Sequence, residues 1–119
     1  MNKNTILEKQ TGLGQKEIMS LIKEGGGGYR VCMLVNDLNV FFWQGDEEVG
    51  KFLCDLLRDP ELDIASRYAA YAGLASFPNP SKEILSVLEE FRVKPENKTL
   101  VEAGGTIIQT VRDLLVRVL

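Results

Sequence analysis

Seven carboxylates stand within eighteen residues of this chain: Asp46, Glu47, Glu48, Asp55, Asp59, Glu61 and Asp63, against only Lys51 and Arg58. Acids at this density have three chemical uses. Two that converge on a cleft can act as general acid and base. Several around one point can hold a hard cation. Spread over a surface, they steer a basic partner. Nothing in the spacing selects the first two. The third stands beside a plainer use, solvated helix surface with acids complementing helix dipoles. The plainer use is the simpler one; should the chain have a polar partner-binding surface, this cluster is where it is expected, and Trp43 just before it is either core, the simpler reading, or an aromatic anchor of the kind interfaces use. A second acidic pair, Glu89-Glu90, invites the plainer reading.

Other chemistry is harder to build. The chain has no histidine, so the commonest general base and zinc ligand are missing. Cys32 and Cys54 lie 22 positions apart, form no Cys-x-x-Cys pair, and are expected to be reduced, buried thiols. Gly25 to Gly28 would suit a phosphate loop, but no lysine-serine or lysine-threonine pair follows, which leaves a linker. Gln10 to Ile22 has the look of the first helix of a helix-turn-helix, yet glycines and an apolar segment follow where a recognition helix belongs. No catalytic residue, metal ligand or cofactor site is assigned.

A net charge of −3 argues against nucleic acid or an anionic membrane as partner. No run approaches the length of a membrane span, and the first residues, Met1-Asn2-Lys3-Asn4, lead into no signal-like apolar stretch, so the cytoplasm is the expected location. The 119 residues are read as one domain, large enough to build a core without disulfides or metal.

The elements that must position these residues are helical. Asp46 is a good N-cap, and Val49, Phe52, Leu53, Leu56 and Leu57 recur at helical spacing. Asp59-Pro60 is expected to end that helix and cap the next, which runs to about Phe77 and is rich in small residues. Ala69 and Ala70 in it are expected at a tight helix contact. Asn79-Pro80 is read as the cap of a third helix bearing Ile84, Leu85, Val87, Leu88 and Phe91. A fourth starts near Pro95 to Lys98. Gly104-Gly105 inside it costs about 1 kcal/mol per glycine relative to alanine, which a close helix crossing or a kink would explain. Before Asp46, Gln15 to Glu24 reads as a short helix followed by the glycine linker. Tyr29 to Trp43 carries both signals: a helical stripe at Val31, Leu34, Val35, Leu38, Phe41 and Phe42, and a β-prone composition that would turn as a hairpin at Asn36–Asn39. The stripe favours helix. The fold class expected is all-α, with two helical hairpins over 46–119 and a degenerate pair before them.

The hairpins look like copies. Val49–Glu61 (VGKFLCDLLRDPE) and Ile84–Glu96 (ILSVLEEFRVKPE) lie 35 residues apart, and Ala69-Ala70 falls on Gly104-Gly105. Residues 49–77, with Leu56-Leu57, Asp59-Pro60, Arg67 and Ala69-Ala70, resemble a HEAT-type repeat. Residues 84–112 depart from it: Lys94 replaces the aspartate, Glu102 the arginine and glycines the alanines. The resemblance implies a stack of helical hairpins that serves as a binding surface and carries no catalytic residue. The function expected is thus a non-catalytic protein-interaction module, an adaptor or inhibitor-like partner. The alternatives are a small-ligand-binding helical domain and a DNA-binding regulator using the N-terminal helix.

The last helix ends Val111-Arg112-Asp113-Leu114-Leu115-Val116-Arg117-Val118-Leu119. Leu114, Leu115, Val116, Val118 and Leu119 wrap too far round a helix to be hidden by one hairpin. A homodimer through these residues is expected, with cover by the N-terminal segment as the competing arrangement.

Overall fold

A computed structural model describes residues 13–26 and 28–119, and among them there are helices and no strand. They are α1 (Gln15–Glu24), α2 (Gly28–Trp43), α3 (Glu47–Arg58), α4 (Ile64–Ser76), α5 (Lys82–Arg92) and α6 (Lys98–Val118), with a 3₁₀ turn, Pro95–Asn97, leading into the last. Short connections make α1 a neighbour of α2 and α3 of α4, whereas α5 and α6, expected as a second hairpin, make little contact with each other. Next-but-one helices also pack: α2 on α4, the most extensive contact, then α4 on α6 and α3 on α5. The result is an all-α stack in which α4 is central.

Residues 29–43 are helical. Val31, Val35, Leu38 and Phe42 are buried at helical spacing, and α2 lies against α1, α3 and α4 at once. A segment covered on several sides needs apolar residues around much of its circumference, and that is the origin of its β-like composition. Asn39 is buried and donates from its amide to Ala69 O at 3.1 Å.

Two caps differ from expectation. Asp59-Pro60 ends α3 but does not begin α4. Asp59 accepts from Glu61 N at 2.9 Å in a tight turn, and Asp63 is the N-cap, accepting from Ser66 N at 3.0 Å and Ser66 Oγ at 2.8 Å. Asn79-Pro80 likewise stays in the loop, and Ser81 caps α5 by accepting from Ile84 N at 3.2 Å. In both loops a later aspartate or serine offers the cap, and proline stiffens the approach to it.

One apolar core runs from Ile18 and Ile22 on α1 to Ile108 on α6. Small residues set its closest approaches. Ala69 and Ala70 are buried, as expected of a tight contact. Gly73 lies against the Asn39 amide, and Gly104 lies against the phenol of Tyr68, so neither position has room for a Cβ. Gly105 faces open space, and the crossing of α4 and α6 accounts for Gly104 alone. Arg67 donates to Leu62 O at 3.0 Å and ties the α3–α4 loop to α4. Cys54 is buried, whereas Cys32 is half-buried, with its thiol 3.8 Å from Ala65 O.

Candidate functional site

The C-terminal end of α4 leaves carbonyls that the helix cannot satisfy itself. Other elements reach over to them. The Trp43 indole N–H donates to Gly73 O at 2.9 Å, and Arg112 on α6 donates to Ala75 O. Arg112 also places a cation at the negative end of the helix dipole. These bonds bring the end of α2, the end of α4 and the C-terminal half of α6 together.

Beside that junction the α2–α3 turn is sharp. Gly45 has φ +102° and returns its N–H to Phe42 O at 2.9 Å. Asp46 then caps α3, accepting from Val49 N at 3.1 Å. Phe42 meets Phe77 with ring centroids 5.0 Å apart. Between these rings, α3 and the start of α5 lies a groove of about 380 Å³. Its floor is apolar: Phe42, Phe77, Ile84, the Cys54 side chain and the bare backbone of Gly50. Its rim carries three carboxylates, Asp46, Glu47 and Glu83, against the single cation Lys51. A Cβ at Gly50 would come 3.1 Å from the Phe42 ring edge, so glycine lets that ring settle against α3. A second hollow of about 370 Å³ adjoins the first through Gly45, Phe77 and Asn79, and is lined further along by Trp43 and Val116.

The seven acids named from sequence are divided by the fold. Asp46 and Glu47 reach the groove. Asp46, Asp59 and Asp63 serve as caps or turn acceptors. Glu48, Asp55 and Glu61 are exposed and do not line the groove. Trp43 is half-buried, its indole N–H committed to Gly73 and its ring lining the second hollow. Sequence reading did not find Gly50, Phe77, Glu83 or Ile84 as site residues. A glycine in the middle of an amphipathic helix was the available signal for the first.

The groove offers little to a reaction. The Cys54 thiol is pushed up from its ordinary value by burial, then by Glu83, with Arg58 opposing, which keeps it protonated and a poor nucleophile. Among the described residues no three of cysteine, aspartate and glutamate converge as a metal site. On the outer side of α3, Arg58 makes a two-pronged ion pair with Glu90 on α5 at 3.1 and 3.0 Å, and both side chains are about half exposed. That pair ties the two helices together. What the groove can do is accept an apolar group and favour a positive charge at its rim.

No protein-family model, curated protein or solved structure matches this chain. Among the described residues no helix is long and apolar enough to cross a membrane.

Proposed function

We propose that this chain is a non-catalytic protein-interaction module, a short HEAT-type stack that binds a basic partner segment at the α2–α3 edge. The observation that carries it is the groove itself, an apolar floor of Phe42, Phe77 and Ile84 under a rim of three carboxylates and one lysine. An apolar side chain of the partner supplies affinity by entering the groove, and a neighbouring lysine or arginine is drawn to Asp46, Glu47 and Glu83. The packing of α1 on α2 and α3 on α4, with α2 on α4 and α4 on α6 across the stack, supports the repeat reading for the first hairpins, whereas α5 and α6 make little contact with each other. Affinity capture with the wild type, Ile84→Arg and the double variant Glu47→Lys/Glu83→Lys tests the proposal. A partner held by the wild type and lost from both variants supports it; equal retention by all three overturns the site.

A second reading has one observation in its favour. The groove volume falls in the lower range of small-ligand pockets, so an apolar cationic small molecule also fits. Native mass spectrometry of the purified protein separates the two: a co-purified adduct of small mass, absent from Ile84→Arg, favours the ligand. The DNA-binding alternative gains nothing comparable. The exposed charges of α1 are mixed, Lys16 and Lys23 with Glu17 and Glu24, and the helix that follows, α2, buries Val31, Val35, Leu38 and Phe42 against its neighbours. Residues 10–12, where that reading began, lie outside the described residues.

A further inference from the structure

Helix α6 buries one stripe and leaves another in solvent. Ile108 and Leu115 are buried, and Val101 packs on the same core. Next to them run Leu100, Ala103, Ile107, Thr110 and Leu114, at i, i+3, i+7, i+10 and i+14. Ile107 is 68% exposed, Leu114 56% and Leu100 37%. This is the spacing of a coiled-coil seam. The stripe is close to symmetric about Ile107, with leucine seven residues away on each side and a small residue, Ala103 or Thr110, between. Opposite charges lie beyond its two ends, exposed Glu96 in the 3₁₀ turn that leads into α6 and exposed Arg117 about one turn after Leu114.

We propose that this stripe is the seam of a two-fold homodimer in which α6 pairs antiparallel with α6 of a second copy, Ile107 near the axis. An isologous interface must be self-complementary, and this stripe is. Antiparallel order sets Leu100 against Leu114 of the second copy and Ala103 against Thr110. It also brings Glu96 beside Arg117 at both ends. Parallel order would set Glu96 against Glu96 and Arg117 against Arg117, so charge selects the antiparallel arrangement. Opposed helix dipoles act in the same direction. The seam departs from the terminal residues named from sequence. Leu115 is 4% exposed and belongs to the chain's own core, while Ile107 and Leu100 join Leu114 at the surface. One helix pair is smaller than a standard stable interface, so the dimer dissociates in the micromolar range.

Sedimentation equilibrium of the full chain across the micromolar range tests this. The wild type is expected to pass from monomer to dimer mass. Ile107→Glu is expected to remain monomeric with unchanged helical circular dichroism, since the residue is exposed. Arg117→Glu is expected to weaken association several-fold, and Glu96→Arg combined with Arg117→Glu to restore it. A wild type monomeric throughout, or a dimer indifferent to Ile107→Glu, overturns the seam. A double variant no tighter than Arg117→Glu overturns the antiparallel register.

Discussion

The phenol of Tyr68 on α4 occupies the space that a side chain at Gly104 on α6 would fill: a Cβ built there would fall on the Tyr68 hydroxyl. Its neighbour Gly105 has nothing within 4 Å of such a Cβ. Two adjacent glycines in one helix are therefore expected to respond to alanine with opposite signs. Gly104→Ala makes the same backbone gain as any glycine-to-alanine change in a helix but forces the Tyr68 phenol out of its seat, and an overpacking cost of about 1–3 kcal/mol should outweigh that gain. Gly105→Ala only removes glycine's backbone entropy and should stabilise by about 0.5–1 kcal/mol. Urea denaturation of the two variants checks this. The same sign for both would remove Tyr68 from the α4–α6 contact.

That pair also shows how far the sequence could be read. Apolar spacing located α3, α5 and α6, because each buries one stripe against a neighbour, while α4, buried on most sides, was legible from its small residues and the Asp59-Pro60 break. Cap positions were less legible. Asp59 and Asn79 are good caps by residue type, as are Asp63 and Ser81, and tertiary packing decides which one the chain uses. The tight crossing at Gly104 was foreseeable from composition, but its partner Tyr68 was not. The acidic cluster was visible as charge, yet it divides into caps, rim and plain surface only once α5 brings Glu83 and Ile84 beside Asp46 and Glu47. A site built across the α2–α3 turn and the start of α5 leaves no contiguous motif.

The two cysteines should differ in reactivity. Cys54 is buried, and its thiol is raised by burial first and by Glu83 next. Cys32 is half-buried, and its thiol is also raised, by burial and then by Asp63. Under native conditions at neutral pH, iodoacetamide is expected to alkylate Cys32 slowly and Cys54 only on unfolding. Peptide mass spectrometry against time reads this directly. Equal native rates for the two would contradict the burial of Cys54 in the groove floor.

The Arg58–Glu90 pair gives a pH signature. The hydrogen-bonded Arg58 guanidinium holds the Glu90 carboxyl below its ordinary value. A carboxyl with a lowered folded-state pKa adds stability above its unfolded value, about 4.3, and that contribution is lost as pH falls through the folded value. Wild type should therefore be slightly more stable than Glu90→Gln at neutral pH, with the gap closing in acid. The gap is small because both side chains are solvated. A difference that stays constant from neutral to acid pH would deny the ion pair a role.

The central claim, that an acidic-rimmed groove at the α2–α3 edge binds a basic partner segment, is tested most directly by the association rate of the captured partner as a function of salt. The rate is expected to fall steeply as ionic strength rises. It should also fall on charge reversal at Glu47 and Glu83, while reversal of Asp55, which lies outside the groove, leaves it nearly unchanged. An association rate indifferent to salt and to reversal of Glu47 and Glu83 would contradict the claim.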